Sequence, residues 1–474
     1  MFLRASLNKL VPDLRRTPRR GLFHPPAGMA GRVARRVAGL AIATWVLALA
    51  GCSFKTPQSI MDAHGLVARD QLDLFMVTVW VSLFIFVTVG GTMAVVVWKY
   101  RERPGDENKP MPEQGHGNPL IEISLITASI ALLVIIAVPT MKAIFLTDAL
   151  PMDQPYWKPS LLGSWYKQAG GELTDEKSKD EPLTIIVHGW QWWWSFEYPQ
   201  FGIITANEFY IPAGKVVKFE LRSNNVIHSF WVPKIAGKVD LIPGRANWMW
   251  MMADDGKAAS DGYDHGPIGA DQYENGLYYG QCAQYCGEAH AFMLFRTRVV
   301  NDKDFVAWVE HTLTPVKAPI PSGKWGDFIG GAKGDPDSNI LPDKTMLATP
   351  EQRGAFLFFT KGSCIQCHTI DGTPATATIG PNLSRVASRT SLVAGFLDNL
   401  DNDGKAIDPV RQRNNFYNWI SHPYDLKPGN LMWYPQPGTD KGGLRDIVQL
   451  NINNKTPITD QDWRDIAAFL MTLK

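Results

Sequence analysis

The stretch from Cys282 to Met293 constrains the fold of this chain more than any other. It reads Cys-Ala-Gln-Tyr-Cys-Gly-Glu-Ala-His-Ala-Phe-Met, a C-x3-C-x3-H-x2-M spacing. Sulfur ligands with imidazole suit copper, and a weak axial methionine beside cysteine and histidine is typical of electron-transfer copper. Two thiolates that bridge two copper ions need one imidazole for each ion, and this stretch holds a single histidine. The fold must therefore bring a second histidine to it from elsewhere.

His228 is the candidate for that second imidazole, because it opens the run His-Ser-Phe-Trp-Val-Pro directly after a segment typical of a strand. Structural zinc and a disulfide between Cys282 and Cys286 are the alternatives. Closely spaced cysteine pairs also bind zinc, so the two cysteines alone decide nothing. The ordered set of five ligands favours copper, and a disulfide would be an oxidised, metal-free form.

This pairing of His-Ser-Phe with the cysteine stretch resembles the dinuclear copper (CuA) domain of subunit II of haem-copper cytochrome c oxidases. Residues 239–245 (Val-Asp-Leu-Ile-Pro-Gly-Arg) and 278–281 (Tyr-Tyr-Gly-Gln) are similar to that family as well. The resemblance implies these copper ligands: the side chains of His228, Cys282, Cys286, His290 and Met293, and the backbone carbonyl of Gln284. Gln284 replaces the glutamate usual in the family, which leaves a backbone ligand intact.

The aromatic run at residues 191–197, Gln-Trp-Trp-Trp-Ser-Phe-Glu, also matches the family. Strand alternation predicts Trp192 and Trp194 on one face and Trp193 on the other. Most such aromatic residues belong to a core or a sheet face. The resemblance implies that Trp192 lies at the surface above the copper where electrons enter.

Cys364 and Cys367 lie in Cys-Ile-Gln-Cys-His, the C-x-x-C-H motif of covalent c-type haem attachment. The end of the chain resembles a small class I cytochrome c, which makes His368 the proximal iron ligand. Residues 427–432, Lys-Pro-Gly-Asn-Leu-Met, resemble the methionine loop of that family, so Met432 is the predicted second ligand. His422 is the alternative, whereas Met346 and Met471 are interpreted as core residues.

Short β-rich segments broken by turn residues fill positions 183–300 and predict a β-sandwich or barrel. The family fold there is a cupredoxin-like Greek key. In the last part of the chain, helices are predicted at 350–361, 392–400 and 411–421. Thr459 and Asp462 form a capping box that opens a final helix.

Two uncharged apolar stretches, Leu74–Trp98 and Ile123–Met141, are long enough to span a bilayer. The loop between them carries Lys99, Arg101, Arg103 and Lys109, which the positive-inside rule places in the cytoplasm. The two spans then form a hairpin with both outer ends on the other side of the membrane.

Residues 1–51 have the features of a signal segment, with Arg32, Arg35 and Arg36 before the apolar run 37–50. Leu49-Ala50-Gly51-Cys52 resembles a bacterial lipoprotein cleavage site, so Cys52 is a predicted lipidation site. An ordinary signal peptidase site is the alternative. The leader is unusually long from Met1, and Met29 is the alternative start.

The predicted fold class is therefore multidomain. A leader (1–51) precedes a two-helix transmembrane hairpin (52–149), a cupredoxin-like Greek-key β-sandwich that holds CuA (150–311), a linker (312–345) rich in proline and glycine, and an all-α class I cytochrome c domain (346–474). The linker predicts a tethered domain whose local concentration is high without tight docking.

The resemblance implies a subunit of a terminal cytochrome c oxidase, an oxidoreductase whose dioxygen site lies in a partner chain. Electrons would pass from a donor through haem c to the dinuclear copper and on to subunit I. The implied partners are subunit I, other membrane subunits, the membrane, and cytochrome c or a similar donor. The copper and haem c domains would lie on the periplasmic side of the bacterial inner membrane. A net charge of +1 gives no argument for nucleic acid.

Three other functions remain open from the sequence. The corresponding subunit of a copper-containing nitric oxide reductase shares the same architecture. A quinol oxidase subunit of the same fold would lack the copper ligands that are present here. A copper-delivery protein would need neither haem c nor two spanning helices.

Overall fold

The computed structural model describes residues 56–101, 103, 115, 117–151, 182–254, 276–314, 316, 347–360, 362–399, 406–430, 432 and 458–474, with residues 36, 39, 40 and 44. Contacts divide the chain into Met1–Phe54 and Lys55–Lys474, and every element named below belongs to the second unit. Several predictions lie outside the described residues: the leader apart from those four residues, the lipidation of Cys52, Met346, and nearly all of the linker.

Two long helices precede the soluble part. Helix α1 is Leu66–Tyr100 and helix α2 is Pro119–Asp148. Asn118 caps α2, because its side chain accepts from the N–H of Leu120 at 3.0 Å and proline occupies the first helical position. By length and composition both helices can cross a membrane, and both predicted spans lie within them. Their large apolar side chains are mostly exposed, so another apolar phase must cover them.

Ten strands form two five-stranded sheets. The first has the order β3-β2-β1-β5-β8 and the second β4-β10-β9-β6-β7. The bounds are β1 Leu183–Trp190, β2 Trp193–Tyr198, β3 Ile203–Ala206, β4 Glu208–Pro212, β5 Val217–Ser223, β6 His228–Trp231, β7 Lys238–Leu241, β8 Asn247–Met251, β9 Leu277–Cys282 and β10 Leu294–Val300. The pairs β1–β5 and β4–β10 are parallel and the others antiparallel.

Alternating burial along the strands builds the core between these sheets. Strand β1 alternates buried and half-buried residues along its whole length, as a sheet with one covered face requires. The core centre is aromatic, and the rings of Phe230 and Phe295 stack with centroids 4.8 Å apart. At Gly280 a Cβ would lie 2.0 Å from the Phe295 ring. The predicted cupredoxin-like β-sandwich is confirmed, and its ten strands lie within positions 183–300.

After β10 the chain forms helix α3, Asp302–Leu313, and then a C-terminal domain whose described residues fall within 347–474. Its helices are α4 Pro350–Phe359, α5 Pro409–Ser421, α6 Pro423–Leu426 and α7 Asp460–Leu470. The predicted capping box is present: Thr459 Oγ1 accepts from the Asp462 N–H, and the Asp462 carboxylate accepts from the Thr459 N–H.

The predicted helix at 392–400 is wrong. Strands β11 (Ser391–Leu392) and β12 (Leu397–Asp398) form an antiparallel hairpin there. Its turn has positive φ at Val393, Ala394 and Gly395, a conformation that ends any right-handed helix. An all-α C-terminal domain is therefore not confirmed.

Candidate metal centre and the adjoining cavity

The second sheet brings the two halves of the predicted copper site together. His228 begins β6 and Cys282 ends β9, and these strands pair with Phe230 opposite Cys282. The two ends of the ligand loop are held together, because the Cys282 N–H donates to the Met293 carbonyl at 2.9 Å. All the predicted ligands thus lie at one end of the sandwich.

Each thiol in this cluster faces its own imidazole. Cys282 Sγ lies 3.9 Å from His228 Nδ1, and Cys286 Sγ lies 3.5 Å from His290 Nδ1. The two sulfurs are 3.8 Å apart. Met293 Sδ is 3.8 Å from Cys286 Sγ, and the Gln284 carbonyl is 3.2 Å from Cys282 Sγ. The arrangement is a pair of sulfurs in the centre with a nitrogen beyond each of them.

That layout discriminates between the alternatives. A disulfide requires a sulfur–sulfur distance of about 2.05 Å, and both cysteines are free here. A tetrahedral zinc ion needs four ligands around one point, whereas this cluster extends along the sulfur pair and includes a thioether. Soft sulfur and two imidazoles disposed in this way suit two copper ions. The donor set therefore fits a dinuclear copper centre.

Four of the predicted ligands are buried, and His228 is held from two sides. His228 and Met293 have no exposed surface, and the cysteines are nearly as buried. Asn225 Oδ1 lies 3.2 Å from His228 Nε2, which leaves Nδ1 directed at Cys282. At Gly189 an added Cβ would lie 2.7 Å from the His228 ring, so the opposite wall is backbone. Sequence reasoning missed Asn225, although its position three residues before His228 was visible.

Sharing of one proton shifts the pKa values of the two thiols in opposite directions. Because the Cys286 thiol donates to Cys282, the pKa of Cys282 falls to about 4 despite its burial. The pKa of Cys286 rises, first because of the same hydrogen bond and then because of burial. Without metal the pair therefore loses one proton readily and holds the second. Bound metal deprotonates both thiols, since the thiolate is the ligand.

Trp192 lies directly against the ligand loop. Its indole Nε1 donates to the Cys286 carbonyl at 3.0 Å, and Gln191 Nε2 donates to the same oxygen at 2.9 Å. Trp192 is 9% exposed. It precedes β2, which begins at Trp193, so strand alternation does not set its position. Trp194 is a core residue, as most of these aromatic residues were expected to be.

The four residues predicted to hold haem c line one cavity: Cys364, Cys367, His368 and Met432. His368 Nδ1 lies 2.9 Å from the Pro381 carbonyl, which fixes the ring and leaves Nε2 for a ligand. Burial lowers the pKa of His368, so its imidazole is neutral near pH 7. His422 is exposed, hydrogen-bonds to Ser421, and is not among the described residues that line the cavity.

Residues of the sandwich close part of this cavity, namely Gln191, Trp192, Trp193 and Asn207. The two domains therefore contact each other directly. The linker had predicted a tethered domain that does not dock tightly. Lys427 also lines the cavity and contacts the sandwich, and sequence reasoning gave it no role. A lysine in a polar loop carries no signal of burial.

Residues 203–259 match the model of the family described as cytochrome C oxidase subunit II, periplasmic domain. Cytochrome c oxidase subunit 2 of Alkalihalophilus pseudofirmus is 30% identical over 387 residues, which cover 81% of this chain and 88% of the relative. The chain belongs to the cytochrome c oxidase subunit II family.

Two further relatives of this subunit II chain are informative. Cytochrome c oxidase subunit 2 of Bacillus sp. PS3 is 30% identical, with 81% of this chain and 88% of the relative covered. The crystal structure of the periplasmic domain of subunit II of cytochrome oxidase from Bradyrhizobium japonicum is 34% identical. The match covers 27% of this chain and 92% of the solved chain, with a TM-score of 0.23.

Family membership defines the setting of the site. Subunit II is part of a terminal oxidase, an oxidoreductase complex that includes subunit I and takes electrons from a cytochrome c-type donor. CuA is the copper centre of this family, and His228, Cys282 and Cys286 form a cluster able to hold metal. The two apolar helices are consistent with anchoring of the subunit in a membrane.

Proposed function

We propose that this subunit II carries its own haem c and is the chain through which electrons enter a cytochrome c oxidase of the caa type. Electrons would pass from a donor to the C-terminal domain, then to the copper centre, and on to subunit I, where dioxygen is reduced. One observation carries the proposal. The cavity lined by Cys364, Cys367, His368 and Met432 is closed by Trp192, whose indole is hydrogen-bonded to the copper loop at Cys286.

The cavity residues fit a covalently held haem. The two cysteines supply thioether attachment, and His368 presents Nε2 because Pro381 occupies Nδ1. At Gly380 an added Cβ would lie 2.7 Å from the His368 ring, so the chain packs tightly behind the proximal ligand. Met432 would be the second residue to hold the haem iron, since it lines the cavity and exposed His422 does not.

The copper would be held by the sulfur pair and the groups around it. His228 and the Gln284 carbonyl lie next to Cys282, and His290 and Met293 lie next to Cys286. When bound, dinuclear copper and haem c each supply a one-electron carrier. The chain itself would hold these groups and place Trp192 between them.

The membrane arrangement follows from the charges. Lys99 and the basic residues after it would face the cytoplasm, so α1 and α2 would both span the inner membrane and both domains would be periplasmic. The domain boundaries at 52–149, 150–311, 312–345 and 346–474, and lipidation of Cys52, complete this proposal.

The nitric oxide reductase alternative is not favoured, because the relatives that cover most of this chain are named cytochrome c oxidase subunit 2. A quinol oxidase role is disfavoured because a quinol oxidase would not need the complete ligand cluster. Copper delivery would leave the cavity beside Trp192 without a purpose.

The Cys286→Ser variant of the whole complex tests the order of transfer. It removes a bridging thiolate while Cys364, Cys367 and His368 are untouched, so haem c content should be normal and a donor should still reduce it. On admission of dioxygen the haem c should stay reduced, which stopped-flow spectroscopy measures. The His228→Asn variant should behave alike, whereas Cys364→Ser should lose haem attachment. Reoxidation in Cys286→Ser at near the wild-type rate would falsify the linear order.

A further inference from the structure

We propose that Lys427 is a positioning residue, which orients the C-terminal domain on the sandwich so that its cavity faces Trp192. The proposal rests on the function proposed above. It goes further, because it assigns a role to a residue that is a predicted ligand at neither metal site.

Lys427 is a buried cation at the junction of the two domains. It is 3% exposed, and its Nζ donates to the Trp192 carbonyl at 2.5 Å. Among the described residues, no ion pair joins its ammonium group to an acidic side chain. Burial lowers its pKa to about 7, and the charge of Cys286 acts in the opposite direction.

The loop that carries Lys427 is fixed by its own hydrogen bonds. The Lys427 N–H donates to the Pro423 carbonyl at 2.9 Å. Asn430 is 6% exposed and donates from Nδ2 to the carbonyls of both Lys427 and Pro423. A lysine on a flexible loop would turn to water, because burial of an ammonium group is costly. Here the folded loop directs it at one acceptor.

That acceptor connects the loop to the copper ligands. The carbonyl of Trp192 receives Lys427, and the indole of the same residue donates to the Cys286 carbonyl. Two consecutive hydrogen bonds therefore join the loop of the predicted axial Met432 to a predicted bridging cysteine. Gly429 in the same loop packs on Glu288, and a Cβ there would lie 2.7 Å from Glu288 Oε2. We call the Lys427–Trp192 and Gly429–Glu288 pairs the loop contact.

A second set of bonds joins the domains at the β11–β12 hairpin. Buried Glu208 accepts from the Thr390 N–H at 2.8 Å and from its hydroxyl. Buried Arg296 donates to the Asp398 carboxylate at 2.7 Å. The Leu294 N–H donates to the Ala394 carbonyl at 3.0 Å. We call these four bonds the hairpin contact.

The two contacts have different effects. The hairpin contact has four polar bonds, and Arg385 of the C-terminal domain also donates to the carbonyls of His311 and Thr314, at the end of α3. These bonds can hold the domains together without Lys427. The loop contact is the one that bonds directly to Trp192, and it therefore positions the cavity at this wall. Loss of Lys427 should therefore leave the domain attached and folded but let its cavity move away from Trp192.

The test uses the complete oxidase with Lys427→Met, a neutral side chain of similar length. Loss of one buried hydrogen bond to a charged group should lower the population of the docked orientation by about tenfold. Electron transfer from haem c to copper should slow by the same factor, because it occurs from that orientation. The rate should also become dependent on viscosity. Lys427→Arg, which keeps charge and donor, should recover part of the rate. Lys303→Met, on exposed α3, is the matched control and should match wild type.

Amide hydrogen exchange separates positioning from folding. In Lys427→Met, protection should persist at Leu294 and Thr390, whose N–H groups form the hairpin contact, and at Met471 within the C-terminal domain. The proposal would be overturned if Lys427→Met transferred electrons at the wild-type rate, or if Lys427→Arg were as slow as Lys427→Met. If the variant fails to fold, the wild type decides: unprotected amides at Leu294 and Thr390 would show undocked domains. Amide exchange does not depend on electron transfer, so it tests the positioning role by itself. Absence of haem c from the purified protein would refute the proposed function and leave the exchange result interpretable.

Discussion

At the scale of single residues, the copper site depends on groups that bind no metal. Asn225 holds one nitrogen of His228, and the backbone at Gly189 lies against its ring. Two donors, from Gln191 and Trp192, hold the Cys286 carbonyl. The ligands are thus oriented before metal arrives, which lowers the cost of binding.

The shared proton of Cys282 and Cys286 has a measurable signature. With haem c attached and copper removed, the pair should show the absorbance of about one thiolate throughout the neutral range, because one pKa is lowered and the other raised. After unfolding, both thiols should titrate near about 8.5. An ultraviolet pH titration distinguishes these cases, and two independent transitions in the folded protein would contradict the pairing.

The axial ligand in the cavity gives a second prediction at this scale. Met432→Ala should abolish the weak absorption band at the red end of the spectrum that marks methionine on the iron, while the covalent haem content stays normal. The control is His422→Ala, which should leave the band intact because that ring is exposed and bonded to Ser421. Persistence of the band in Met432→Ala would remove Met432 from the site.

At the scale of elements, the sequence predicted what local chemistry determines. The capping box at Thr459, the apolar spans and alternating strands such as β1 and β9 follow from short-range rules, and they occur in the structure. The hairpin at 391–398 does not follow from them, since its leucine, valine and alanine also suit a helix. Its conformation depends on Glu208 and Arg296, which are distant in sequence. Burial of Lys427 was unpredictable for the same reason.

The crossing of α4 and α7 yields a third prediction. A Cβ at Gly354 would lie 1.8 Å from the Asp465 carbonyl oxygen, so Gly354→Ala must push the two helix backbones apart. The free energy of unfolding of the C-terminal domain should fall by about 1–3 kcal/mol or more. Denaturant unfolding followed by haem absorbance measures this. Gly115→Ala, where an added Cβ meets no atom within 4 Å, should have no effect.

At the scale of the whole molecule, a polar junction ties the start of α1 to the sandwich. Asp62 accepts from Lys234 Nζ at 2.5 Å and lies 3.0 Å from His64 Nε2. The N–H groups of Leu66 and Ala68 donate to the Met252 and Ile235 carbonyls. The orientation of α1 is therefore fixed relative to the copper site.

This junction should loosen in acid. Burial raises the pKa of Asp62, but Lys234 and His64 lower it more, so the net pKa is below its usual value. The folded state then holds fewer protons than the unfolded state. The stabilisation is present above the ordinary carboxyl pKa and is lost as pH falls through the lowered one.

Asp62→Asn should accelerate amide exchange at Leu66 and Ala68 by about tenfold at neutral pH, and the difference from wild type should shrink in acid. Glu310→Gln, an exposed site, is the control. Equal exchange in Asp62→Asn and wild type would show that the junction does not depend on this carboxylate.

The cavity has two unlike sides. Trp192 and Trp193 provide a wall, whereas Cys367 and Ile379, which also line the cavity, are exposed, the latter by 63%. If this cavity holds haem c as proposed, a soluble electron carrier would approach and leave at the exposed residues while the wall stays closed. The oxidised carrier can then dissociate either before or after the electron passes on to the copper centre, because the two events use different parts of the cavity lining. At high carrier concentration, the turnover rate should therefore be limited by electron transfer beyond Trp192, and not by exchange of the carrier.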